Sequence, residues 1–93
     1  MYTILAKQNL NRNVKRLDIR AESIVGKIRP GQFVAVMADR YSRRIPYNVF
    51  EVDWRRKCLS IVFEENDDDT IKMGEMKIND PIYAVSGPFG DPL

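Results

Sequence analysis

The sequence predicts an all-β domain, a six-stranded antiparallel Greek-key barrel with one short helix before the last strand. Short apolar or alternating runs recur along the chain, each bounded by a turn signal. A single helical start signal stands among them, ahead of Thr70-Ile71-Lys72-Met73. Closing such strands into a barrel removes the sheet edges that a soluble β protein must otherwise protect.

Taken in order, residues 2–9 form a first strand and residues 14–20 a second, with Asn11-Arg12-Asn13 as the turn between them. Residues 21–28 form a loop or one helical turn. Arg29-Pro30-Gly31 then breaks the chain before a strongly apolar strand at residues 32–38, rich in Phe and Val. After a polar connection at residues 39–43, residues 44–52 and 57–64 are strands joined by a hairpin loop, Asp53-Trp54-Arg55-Arg56. Asp68 or Asp69 is the expected N-cap of the helix, which covers residues 69–76. Asn79-Asp80-Pro81 turns into a last strand at residues 82–86, and the Gly87-Pro88-Phe89-Gly90-Asp91-Pro92 bend follows.

A length of 93 residues is enough for one small domain. The net charge of +2 is small, but Arg40, Arg43, Arg44, Arg55 and Arg56 cluster. The chain has no histidine, which excludes His-based metal sites and Ser-His or Cys-His nucleophile systems within it. Its one cysteine, Cys58, cannot form an internal disulfide. The N-terminus lacks the basic start and apolar stretch of a secretory signal, and no apolar run reaches membrane-span length. A cytoplasmic location is the expectation, with no membrane partner.

Residues 44–49, Arg-Ile-Pro-Tyr-Asn-Val, place a cation, an aromatic ring and an amide within one short strand. In an extended chain Arg44, Pro46 and Asn48 share one face, and Ile45, Tyr47 and Val49 the other. Such a segment suits a ligand that has both phosphate and a planar heterocycle; on spacing alone it reads first as an ordinary strand with an apolar face and a charged entry. The acidic stretch Glu64-Glu65-Asn66-Asp67-Asp68-Asp69 reads as a solvated loop whose last Asp caps the helix. It lacks the spacing and distal Glu of a calcium loop, so no metal is assigned. Trp54 reads as a hairpin-tip residue or a partner contact, Cys58 as a small buried hydrophobe, and Met73 and Met76 as packing residues.

Three motifs, in this order, resemble the N-terminal flavin-binding barrel of the ferredoxin–NADP reductase superfamily. Arg29-Pro30-Gly31-Gln32-Phe33-Val34 is similar to its Pro-Gly-Gln-Phe strand entry. Arg44-Ile45-Pro46-Tyr47-Asn48-Val49 is similar to its Arg-x-Pro-(Leu/Tyr/Ile)-(Ser/Thr) flavin motif. Gly87-Pro88-Phe89-Gly90 is similar to its Gly-Pro-Leu-Gly. The branch in question holds the electron-transfer subunit of dihydroorotate dehydrogenase and the small subunits of sulfide dehydrogenase and NADH-dependent ferredoxin:NADP oxidoreductase. The resemblance implies that residues 1–93 are the flavin-binding-type barrel, a fragment without the C-terminal nicotinamide-binding domain. FAD would be its cofactor, and NAD(P) and an iron–sulfur cluster would belong to the missing domains.

The resemblance also implies roles. Arg44 would neutralise the flavin pyrophosphate, Tyr47 would pack against the isoalloxazine ring or ribityl chain, and the backbone at Asn48 would face the ring's polar edge beyond Pro46. Thr70 would offer a hydroxyl and an amide to phosphate at a helix N-terminus. This chain departs from the pattern twice: Asn48 stands where the family has Ser or Thr, and Asp67-Asp68-Asp69 stands where it has Gly-Lys-Ser. Like charges repel by about 1 kcal/mol per pair at 4 Å even in bulk water, so weak FAD binding is expected.

The leading expectation is an FAD-binding module of an NAD(P)H-linked oxidoreductase electron-transfer subunit, partnered by other subunits or domains and not active alone. This chain would supply no catalytic acid or base. The alternatives are a flavin-free barrel that acts in docking or assembly, and a small nucleic-acid-binding barrel, although nucleic acid is not the expected partner.

Overall fold

The computed structural model describes residues 2–93 and contains seven strands and two short helices. The strands are β1 (Tyr2–Asn11), β2 (Val14–Arg20), β3 (Phe33–Met37), β4 (Ile45–Asp53), β5 (Cys58–Glu64), β6 (Pro81–Ile82) and β7 (Ala84–Phe89). The helices are α1 (Glu22–Val25) and α2 (Asp68–Glu75). Every strand pairing is antiparallel. The sheet order β6-β1-β2-β5-β4-β3-β7 puts β5 beside β2, a Greek-key connection. Strands β6 and β7 lie at opposite edges of this order yet follow one another in the chain, so the barrel is nearly closed.

The expected sixth strand is therefore two. Pro81–Ile82 pairs with β1, and Ala84–Phe89 pairs with β3. Between them the Tyr83 N–H donates to the Ala38 carbonyl at 3.3 Å. A chain that crosses from one sheet edge to the other must change hydrogen-bonding partners, and it does so at Tyr83. Burial shifts phase across the break, with Ile82 and Val85 both buried, but the unbroken apolar run Ile82-Tyr83-Ala84-Val85 gives no sign of it in the sequence.

The inward faces of the strands make the core. Ile4, Leu17, Ile19, Val34, Leu59 and Ile61 have no exposed surface. Burying each such side chain contributes about 1.5–3 kcal/mol. Helix α1 adds Ile24 and Val25, and α2 adds Met73. The outward face of β5 is also covered: buried Ser60 donates to Asp18 at 2.7 Å, and Arg16 reaches both Asp18 and Glu51.

The cap of α2 lies one residue earlier than expected. Asp67, rather than Asp68 or Asp69, is the N-cap, in a capping box with Thr70. The spacing decides this, because only Asp67 has a hydroxyl residue three positions on that can bond back to its own N–H. Among the described residues no helix is long and apolar enough to cross a membrane.

Candidate functional site

Strand β4 alternates faces. Tyr47 points inward and is 5% exposed, while Arg44, Pro46, Asn48 and Phe50 are exposed on the outer side. The strand pairing extends that outer face into a platform. Ala35 of β3 lies between Pro46 and Ser86 of β7, and Phe33 lies between Asn48 and Phe89. Directly opposed residues point to the same side of a sheet. The Phe33 and Phe89 rings meet at 5.6 Å between centroids. Gly87 has φ +136°, and a Cβ there would lie 3.2 Å from the Phe33 carbonyl oxygen, so glycine lets β7 run this close to β3.

Arg44 frames the platform. Its Nη1 donates to Ser86 Oγ at 2.5 Å, reaching from the head of β4 across β3 to β7. The result is a flat surface with small Ala35 between Pro46 and Ser86, a guanidinium at one side and the Asn48 amide beyond. It can receive a planar heterocycle, with apolar contact beneath and polar groups for the ring's edge.

The structure brings Arg44, Pro46 and Asn48 together, and it separates Tyr47 from them. The Tyr47 ring lies inside the barrel, edge-on to Phe63 at 5.3 Å. Adjacent residues of β4 face opposite ways, so Tyr47 stands on the face opposite to Arg44, Pro46 and Asn48. Its buried hydroxyl has no hydrogen-bond partner among the described residues. Burial raises its pKa, and the charges of Asp67 and Asp69 raise it further.

Thr70 is also elsewhere, on the first turn of α2, and its polar atoms are already engaged. Its N–H donates to Asp67 Oδ1 at 2.8 Å. Its hydroxyl donates to the same oxygen at 2.9 Å and accepts the N–H groups of Asn66 and Asp67. These bonds, the Thr70 amide first, hold the Asp67 carboxyl below its ordinary range. The Asp67 carboxylate thus stands where an external anion would meet the helix N-terminus.

Arg43, which the sequence analysis did not single out, is drawn to the same helix. Its Nε and Nη2 donate to Asp69 Oδ2 at 3.1 and 2.6 Å. Lys72 of α2 pairs with Asp39 of the β3–β4 connection, so two ion pairs strap the helix to that loop. The chain therefore fits the two halves of a flavin dinucleotide differently. The platform suits the ring, whereas the N-terminus of α2 is filled by this chain's own carboxylates and does not suit a pyrophosphate.

Ala35 and Ser86 also escaped the sequence reading, and Phe33 and Phe89 entered it only as motif residues with no role at the site. They join the site only through strand register, and β7 is about forty residues from β4, a separation that no local pattern spans.

No protein-family model matches the chain. It is 29% identical over 92 residues to an uncharacterized protein of Clostridium beijerinckii, covering 99% of this chain and 31% of that one. It is 28% identical over 94 residues to the electron transfer subunit of dihydroorotate dehydrogenase B (NAD(+)) of Enterococcus faecalis, covering 98% of this chain and 35% of the subunit. Among solved structures, an NADH-dependent reduced ferredoxin-NADP oxidoreductase superposes with a TM-score of 0.96 at 27% identity, over 100% of this chain and 34% of that one. A ferredoxin-NADP+ reductase from Plasmodium falciparum shares the fold with a TM-score of 0.79 at 23% identity, over 99% of this chain and 40% of its own. The chain spans about a third of the length of the curated relatives it matches.

Proposed function

This chain is a barrel of the ferredoxin–NADP reductase type, and we propose on that footing that it is the flavin-bearing module of an NAD(P)H-linked electron-transfer subunit. The observation that carries the reading is the outer face of β4: Arg44, Pro46 and Asn48 in one row, completed by Ala35 and by Ser86, which Arg44 itself contacts. A planar ring laid there rests on apolar surface, with Arg44 at one side and the Asn48 amide at its polar edge. The flavin supplies the redox chemistry, and the chain positions the ring and biases its charge. The nicotinamide and the next electron acceptor are assigned to other domains or subunits. A cytoplasmic setting fits Cys58, the one cysteine, which is buried and whose thiol pKa burial pushes up.

A second reading, a flavin-free barrel used in docking or assembly, is favoured by one observation. Asp67 fills the α2 N-terminus, and Asp69 engages Arg43. Titration with riboflavin, FMN and FAD, followed by flavin fluorescence, separates the two. Saturable binding that Arg44→Ala weakens supports the flavin module. Failure of all three flavins to bind at millimolar concentration replaces it with the second reading.

A further inference from the structure

The exposed tryptophan at the β4–β5 hairpin walls a groove on another part of the surface. Trp54 is 61% exposed and the nearby Phe50 64%. A cavity of about 320 Å³ lies between residues 28–31 on one side and residues 49–52 with Trp54 on the other. A second cavity of about 370 Å³ shares residues 28–30 and Trp54 with it and adds Lys27. The two make one groove along the indole.

The hairpin that presents Trp54 is held in place. Asp53 Oδ1 accepts the N–H groups of Arg55 and Arg56 at 3.0 and 3.1 Å, and Lys57 adopts φ 55°. A rigid aromatic anchor loses little freedom on binding, which is why Trp is enriched at the energetic centres of interfaces. Arg16 lies over the Phe50 ring at 5.4 Å and pairs with Glu51 at 2.6 Å. The Glu51 carboxylate, the one that lines the groove, is thus paired within the chain. The cations are not: among the described residues Lys27 and Arg29, which line the groove, have no carboxylate at ion-pair distance. The groove is aromatic and apolar inside and positive at its rim.

We propose that this groove docks an acidic, extended segment of a partner protein. The segment lays one apolar side chain between Trp54 and Pro30 and sets its carboxylates against Lys27 and Arg29. A protein segment fits better than an anionic membrane, because the indole walls a concavity that a chain can enter and a bilayer surface cannot. On the outer face of β4 the groove starts at Phe50, the next residue there after Asn48, and it includes neither Arg44 nor any residue paired in register with Pro46 or Asn48, so either site can be tested without the other.

Trp54 is the only tryptophan, so tryptophan emission reports on this indole alone. The probe is a synthetic peptide of about ten residues, Glu and Asp around one central Leu, the length of a typical groove-binding segment. We expect a saturable blue shift of Trp54 emission as the indole leaves water. Affinity should fall at least tenfold between about 50 and about 300 mM NaCl, because rim charges are screened. The double variant Lys27→Glu, Arg29→Glu, with unchanged circular dichroism, should lose the acidic peptide and gain a Lys-rich counterpart built around the same Leu. Equal binding of acidic and Lys-rich peptides to the unaltered chain would overturn the proposal, as would the absence of a shift at millimolar peptide. A shift caused by phosphatidylserine vesicles but not by the peptide would overturn it in favour of a lipid-facing surface.

Discussion

Both Nε and Nη2 of Arg43 donate to one carboxylate oxygen of Asp69, at 3.1 and 2.6 Å. Arg43 and Arg44 are adjacent in sequence, yet their guanidinium groups part. One crosses to Asp69 on α2, and the other to Ser86 on β7. A cation that could serve a phosphate is thereby committed to a carboxylate of its own chain.

Asp69→Asn should release it. On the flavin reading, FAD affinity should then rise about fivefold at low salt, the scale of one charge pair at 4 Å in water. The gain should shrink at high salt as the exposed charges are screened. Riboflavin, which has no phosphate, should bind the variant and the unaltered chain alike. Fluorescence titration at two ionic strengths measures all of this, and a riboflavin gain equal to that of FAD would sink the assignment to phosphate.

Arg44→Ala should weaken flavin binding by about 1.5–3 kcal/mol, the scale of a hydrogen bond to a charged group. Ser86→Ala should cost less, because it removes only the hydroxyl that orients the guanidinium. Calorimetric titration reads both changes. Equal affinities of Arg44→Ala and the unaltered chain would remove Arg44 from the site.

Gly74 lies inside α2, where alanine would ordinarily stabilise a helix by about 1 kcal/mol. Here a Cβ would fall on the Glu65 carboxylate, which pairs with Lys15 at 2.6 Å with both side chains largely buried. Displacing Glu65 leaves a mostly buried charge unpaired, at about 1–3 kcal/mol. Gly74→Ala should therefore destabilise the protein by about 1 kcal/mol net. In a Glu65→Ala background the same change should become stabilising. Urea unfolding of the four proteins of this cycle tests the reversal of sign.

Asp39 provides a pH prediction. The Lys72 ammonium and then the Tyr41 N–H lower its pKa from 3.8 to about 2. A carboxyl depressed in the folded state contributes stability above its unfolded pKa and loses it as pH falls through the folded value. The Lys72–Asp39 strap should therefore be fully present above about pH 4 and be lost between about pH 4 and pH 2. Melting temperatures of the unaltered chain and Asp39→Asn should differ at pH 6 and converge toward pH 2. Parallel curves across that range would count against the strap.

The sequence by itself determined the strands, their turns and the division of β4 into two faces. Residues 44–48 read correctly because side-chain alternation is a property of an extended chain, whatever it pairs with. The helix near residue 70 was legible for a similar reason, since start signals act within a few residues, although its reciprocal partner moved the cap to Asp67. Tertiary structure alone decided what those faces meet. Tyr47 went inward against Phe63, Arg44 found Ser86, and Arg43 found Asp69, a residue 26 positions away. The break at Tyr83 has the same origin, because the closing strand changes neighbours where the two sheet edges meet and not where its own residues change character. Such contacts depend on the register of all the strands at once, and register is set by burying the whole core rather than by any one segment.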